Sequence, residues 1–517
     1  MHRCLETPEL IVSIFSEVAE DDESGCASLA VLARTCQAFK NPALDALWRT
    51  QTSLMPLVNL FPAKGEGDQE VCLQLLTLHC LSLKLSKSPQ ISMSEWFRIV
   101  PYASRVKSFV MYVDDELPHI WHALAMSRPD STPFLFPNLR HLSWVENGIW
   151  TSFIRLVLPP TLIRLELDSI WSASDTMHVR VHEVTSLTES ILRSLGHFYP
   201  SLQQFSLLGG LDIPSRPSFI DALSQLVNLR RLILDRVPSP AAFVHMNRLE
   251  YLVISRHDED PEKLSTPVVL PSLREFKFRG NQLSWVTSFL SSIHSECHLE
   301  TVEIMVYLDE EQVLPSWTGL LKALGCCDSH TLTSVTVGDR RFSDQDYHPE
   351  HCHPADQEAI SPLFALSNLI HLKLLPHQGF DIDDETLRQI SLAFPHLRSL
   401  ELGRLMSSWT IPSRITLVGL IPLIANCPQL HRLCIVIDAT IIPDACISIP
   451  TPNTILKTLE VGCSRISDPV DVAAFLMDLF PNVTRIVHGW YHPSGNEREA
   501  WNNVGLFMGR FMLRRRW

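Results

Sequence analysis

The chain has 517 residues, 45% of them apolar, and carries 43 basic against 57 acidic side chains for a net charge of −14. An apolar share of that size buries a core and excludes general disorder. The acidic balance disfavours a general binder of nucleic acid or anionic membrane, whose affinity rests on lysine and arginine. With 35 prolines and only 19 glycines, the chain is neither collagen-like nor built from glycine-hungry propeller blades.

The first sixty residues read as three short helices. Thr7 is placed to cap the first, with Pro8 at its first position, and Leu10, Ile11, Ile14, Phe15 and Val18 form an apolar stripe. The acidic run 20–23 and Gly25 end it. A second helix, predicted over 27–38, puts Leu29, Leu32, Ala33 and Cys36 on one face. Asn41 and Pro42 open a third, with Leu44, Leu47 and Trp48. So much apolar surface on so small a unit predicts a partner. A helical linker is expected over 55–100.

From about residue 101 onward a phrase recurs: a proline or polar residue, then L-x-x-L-x-L. FPNLRHLSW (136–144), PPTLIRLEL (159–167), LPSLREFKF (270–278), FPHLRSLEL (394–402) and FPNVTRIVH (480–488) are five of thirteen copies, and YASRVKSFVMYV (102–113) is a weaker one before them. Between Val106 and Val483 the mean spacing is about 29 residues, at the upper end of the leucine-rich-repeat period. The alternating apolar pair faces one side of a short strand, and stacked copies share a core that no single copy can form. Helical patterns over 185–198, 284–293, 384–393, 417–425 and 470–480 lie between strands, with apolar residues three and four apart. The expected fold class is therefore α/β, with a strand plus a helix or turn per repeat over 101–490.

In such an array the intervening strand residues form an exposed row. Its signs are mixed, and no basic stripe runs along it, which suits a protein or peptide partner over nucleic acid. Arg231, Tyr251, Lys277 and Arg279, with Lys373, are the candidate partner-binding residues of that row, since arginine and tyrosine are favoured anchors. Paired cations there also suit a phosphorylated segment; the alternative is that they pair with Glu275 and Asp235 and only solvate the face.

Other clusters point to no chemistry. His348, His351, Cys352 and His353 lie within six residues beside two prolines, whereas structural zinc sites combine two separated ligand pairs. Cys326 and Cys327 adjoin a strand start, and His294-Ser-Glu-Cys-His298 lacks the zinc-protease order. No phosphate loop, dinucleotide fingerprint or nucleophile elbow occurs. No metal, cofactor or catalytic residue is expected. The thirteen cysteines have no framework spacing, and no apolar run reaches the ~18–20 residues of a membrane span. An intracellular protein, cytoplasmic and/or nuclear, with reduced and buried cysteines is expected. The end, GRFMLRRRW, is either a helical cap on the array or a basic tail that marks a membrane surface or nuclear import, over 491–517.

The first residues also carry a resemblance. ETPELIVSIFSEV, SLAVLARTCQAF and NPALDALWRT resemble the three helices of an F-box, taken here as 1–54. SEWFRIVPYASRVKSF (94–109) resembles the segment that joins F-box to repeats in fungal F-box proteins. Leu5-Glu6-Thr7-Pro8 stands where the family has Leu-Pro, and an acidic insertion at 20–25 replaces its tight turn. The resemblance implies a substrate receptor of an SCF-type ubiquitin ligase, docking on a Skp-type adaptor and through it on a cullin–RING ligase. Pro8, Ile11, Ile14, Phe15, Leu29, Leu32, Cys36, Leu44, Leu47 and Trp48 match the apolar positions of the motif, some as its core and some as adaptor contacts. A repeat scaffold acting outside a ligase is the alternative, favoured by the changed turn.

Overall fold

Every copy of the repeated phrase, and the weak copy before them, forms a parallel strand. The computed structural model describes residues 7–21, 24–61, 91–112, 118–146, 151–169, 177–209, 216–236, 240–243, 245–256, 268–293, 297–308, 317–341, 354–377, 379–403, 412–443, 451–489 and 496–515. The chain divides into two compact units, at Met246.

The first unit begins with helices α1 (Pro8–Ala19), α2 (Gly25–Thr35) and α3 (Gln37–Trp48). Their core is Ile11, Phe15, Leu29, Phe39 and Ala43, with the Phe15 and Phe39 rings edge to face at 5.4 Å. Pro8 sits in the first turn as expected, but the Thr7 side chain makes no capping bond. The second and third helices differ from their sequence boundaries. Cys36 is extended (φ −156°, ψ 166°) and divides them, so α3 starts at Gln37 and Pro42 lies inside it. Gly25 is required at the start of α2, because a Cβ there would lie 2.3 Å from the Val18 carbonyl oxygen.

Directly after α3, Thr50–Gln51 forms strand β1, which the sequence did not mark. It pairs in parallel with β2 (Ser108–Met111), the strand of the weak repeat copy, in the register Thr50↔Ser108. The N–H groups of Lys107 and Ser108 both donate to the Arg49 carbonyl. The helical module is thus fixed to the array by its own last residues. Of the segment 55–100, read above as a linker, the described parts are the one-turn helix α4 (Met55–Val58) and most of α5 (Met93–Ala103); 62–90 lie outside the described residues. A capping box, Ser92 with Glu95, starts α5.

Strands β3 (His141–Glu146), β4 (Arg164–Ser169), β5 (Gln204–Leu207) and β6 (Arg231–Leu234) follow β2 side by side in chain order. Their alternate residues point into the core: Leu142 and Trp144, Leu165 and Leu167, Phe205 and Leu207, Leu232 and Leu234. The polar lead-in of the phrase has a physical role. Asn138, Thr161 and Asn228 donate to carbonyls of the turn one repeat earlier, at Ser104, Leu139 and Pro200, over 2.7–2.9 Å.

The second unit repeats the plan with β7 (Tyr251–Arg256), β8 (Glu275–Gly280), β9 (Thr301–Leu308), β10 (Ser334–Arg341), β12 (His371–Leu375), β14 (Ser399–Leu402), β15 (Arg432–Ile435), β17 (Thr458–Gly462) and β19 (Arg485–His488), again parallel and in chain order. Two-residue strands β11 (Ala355–Asp356), β13 (Phe380–Asp381), β16 (Asp438–Ala439) and β18 (Arg465–Ile466) make two small side pairs. Ser272, Asn368 and Asn482 continue the lead-in bonding to Asn247, His330 and Thr454. Helices between strands bury one face, as with Leu387 and Ile390 on Asp384–Ala393 and Val472 and Leu476 on Pro469–Leu479. The last helix, Asn496–Arg515, buries Trp501, Val504 and Met508, and the Trp501 indole donates to Ser464 O at 2.8 Å. It caps the array; the side chains beyond Arg510 lie outside the described residues.

A strand and a helix or turn per repeat, a parallel sheet and a shared leucine core define a leucine-rich-repeat solenoid, the α/β class expected.

Candidate protein-interaction surfaces

Two surfaces emerge, one on the helical module and one on the strands. On the module, the structure sorts the ten motif positions. Ile11, Phe15 and Leu29 are core, and Trp48 is buried with its ring 5.1 Å from that of Tyr102 on α5. These four are therefore not surface contacts; a partner feels them only through the shape they hold. Leu32, Cys36 and Leu47 are partly buried against the same core, and Leu44 is half-buried. Pro8 and Ile14 are exposed. Leu10, which the motif set omits, is 45% exposed beside Ile14 at 41%. One turn apart on α1, these two make an apolar stripe that the module's own core leaves uncovered. Val31 on α2 is exposed as well. The signal was present in α1, which carries two apolar stripes, Leu10/Ile14 and Ile11/Phe15, where a three-helix core uses one.

On the second unit the strand residues that alternate with the inward leucines form a grid whose rows follow from register; the row expected to be exposed is not so throughout, since Ser399, Glu401 and Cys434 are buried in it. One row runs Lys277, Glu303, Thr336, Lys373, Glu401, Cys434 and Glu460. The row beneath it includes Tyr251, Glu275, His371, Ser399 and Arg432. The candidate cations are engaged within this grid. Lys277 Nζ lies 3.8 Å from Glu275 and 3.9 Å from Glu303, and 5.4 Å over the Tyr251 ring. Arg279 donates to Glu303 at 3.0 Å. Lys373 meets Glu401 at 2.7 Å, and Arg432 reaches Glu401 at 3.1 Å and Glu460 at 3.4 Å. Arg231 stands on β6 in the first unit, in register with Gln204. The structure therefore gathers Tyr251, Lys277 and Arg279, while Lys373 belongs to a second ion-pair group.

Glu401 is the centre of that second group. Its side chain is only 10% exposed and is held between the two cations. The signal for it was the acidic residue in SLEL, which acquires meaning only once β12 and β15 flank it. Beside it, Cys434 is buried, and burial first, then the Glu460 and Glu401 charges, push its thiol up to about 12. His371 is held below its usual value by burial, then by His431 and Arg398.

Of the dismissed clusters, His294 and the group at 348–353 lie outside the described residues. Among the described residues no group of three or more histidine, cysteine or acidic side chains is arranged to hold a metal. His298 pairs with Asp328 at 3.5 Å. The cysteines depart from the expectation in one respect: those described are free thiols, but Cys26 and Cys326 are exposed, since both fall at helix ends outside the core stripe. No helix among the described residues is long and apolar enough to cross a membrane.

No protein-family model matches the chain, and no curated protein does. Among solved structures, the Rad7 and Elc1 complex from yeast aligns over 73% of this chain and 83% of the other, at 15% identity and a TM-score of 0.33. CroV588, a circular leucine-rich-repeat protein, aligns over 74% and 49%, at 14% identity and 0.28.

Proposed function

We propose that the chain is the substrate-recognition subunit of an SCF ubiquitin ligase, with its first helices acting as an F-box on a Skp-type adaptor and its repeats holding a protein substrate. The observation that carries the reading is the exposed Leu10/Ile14 stripe on a three-helix module built into the first strand of a repeat array. An apolar stripe on a module this small is stabilised by a partner, and the strand joint gives that partner a fixed position relative to the first repeats. The chain itself performs no chemistry in this reading. It raises the effective concentration of substrate near a ubiquitin-loaded enzyme, in the cytoplasm, the nucleus or both, without a cofactor.

Co-purification with the Skp-type adaptor tests this, comparing wild type with Leu10→Glu/Ile14→Glu. Both residues are exposed, so the variant is expected to fold and to lose the adaptor. A folded wild type that does not bind would sink the ligase reading. The repeats would then stand as an interaction scaffold outside a ligase, the alternative that the acidic insertion after α1 favours.

A further inference from the structure

Lys107, Arg140 and Arg49 come from distant parts of the sequence and stand on adjacent rungs. The N–H groups of Lys107 and Ser108 donate to Arg49 O, those of Arg140 and His141 to Lys107 O, and those of Ile163 and Arg164 to Arg140 O. The three cationic residues thus hold equivalent positions at the start of consecutive strands. With parallel strands ~4.8 Å apart, they fall within about 10 Å of one another. One residue further along, His141 and Arg164 are in register with Ser108, adding two more basic groups.

The available carboxylates do not neutralise this edge. Asp45 is taken by Arg105, and Glu166 by Arg164. Among the described residues, Arg49, Lys107 and Arg140 make no ion pair, and Arg49 and Arg140 are exposed. The crowding is felt by the groups themselves. Burial first, then the charge of Arg140, lowers the Lys107 pKa, with Arg49 adding to it and Asp45 opposing. His141 is lowered by burial, then by Arg164, Arg140 and Arg49, with Glu166 opposing. In a chain of net charge −14, a cluster of like charges that Asp45 and Glu166 offset only in part is a cost unless an anion covers it.

We infer that this edge of the first unit is a docking site for an acidic segment of a partner protein, gripped by Arg49, Lys107 and Arg140. A span of about 10 Å matches three extended residues, and arginine forks hold carboxylate or phosphate in two-pronged fashion. A short anionic segment suits it better than a nucleic acid, because the overall charge repels a long polyanion and Glu166 and Asp168 stand on the adjoining strand. The site does not depend on the ligase reading: a chain that fails to bind the adaptor still carries it.

The test is fluorescence anisotropy of the full chain with a labelled peptide rich in Asp and Glu. Its Asn/Gln counterpart, a phosphoserine version and an oligouridine of equal charge serve as comparisons. The acidic or phosphoserine peptide is expected to bind at about 50 mM salt and to weaken steeply by about 200 mM. Lys107→Glu/Arg140→Glu is expected to weaken it at least about tenfold, while Lys322→Glu, an exposed lysine of the other unit, changes it less than about twofold. Should the reversal variant not fold, Lys107→Gln/Arg140→Gln is expected to lose several-fold. Preference between the two peptides identifies the anion as carboxylate or phosphate. No peptide binding, binding indifferent to both variants, or tighter binding of the oligouridine through the same residues would overturn the proposal.

Discussion

The ring of Trp48, the last residue of α3, lies 5.1 Å from that of Tyr102 on α5, and Arg105 pairs with Asp45 beside them. Together with the Thr50↔Ser108 pairing, this contact welds the helical module to the first strands of the array.

Trp48→Ala should therefore do more than hollow the module. A loss of about 3–5 kcal/mol in stability is expected, with faster amide exchange at Lys107 and Ser108, whose N–H groups bond Arg49 O. Protection in β5 and β6 should be kept. Unchanged exchange at 107 and 108 would mean that the joint does not depend on the ring contact.

Glu401 links two cations across strands. Glu401→Ala leaves Lys373 without its carboxylate and weakens the hold on Arg432, so urea denaturation should show a loss of about 1–3 kcal/mol. Lys373→Met should cost under about 1 kcal/mol, because Glu401 keeps Arg432 and Lys373 is partly solvated. Equal losses in the two variants would show that the carboxylate is not the centre of the group.

Asp383 caps the helix Asp384–Ala393, accepting from the Thr386 N–H at 3.0 Å and its hydroxyl at 2.9 Å. The backbone bond first, then the hydroxyl, holds its carboxyl below the usual value. A carboxyl depressed in the folded state stabilises fully above its unfolded value, near pH ~4, and that share is lost as pH falls through the folded value. Asp383→Ala is expected to cost about 1 kcal/mol at neutral pH and less on acidification. A gap that stays constant down to strong acid would rule the cap out as its source.

Much of the solenoid was legible because its signal is local. In FPHLRSLEL the alternation of Leu and polar residues is itself the strand, and Leu387 and Ile390 mark the buried stripe of the preceding helix. Strand β1 was not legible: Thr50 and Gln51 show no pattern, and they become a strand only because Ser108 and Phe109 offer an edge. The position of the break between the second and third helices, at Cys36 instead of just before Asn41, was missed as well, since an extended Cys36 leaves no trace in apolar periodicity.

The interaction surfaces divide along the same line. That α1 carries more apolar residues than one face can bury is a property of the sequence. Which of them stay exposed was decided when Phe39 and Ala43 covered Ile11 and Phe15 and left Leu10 and Ile14 in solvent. The repeat itself, its strands and their inward leucines follow from residue spacing, because a two-residue period acts over a few bonds. The meeting of Lys373, Glu401 and Arg432, and of Arg49, Lys107 and Arg140, follows only from stacking. Parallel register carries residues tens of positions apart to neighbouring rungs, and charge interacts through space rather than along the chain.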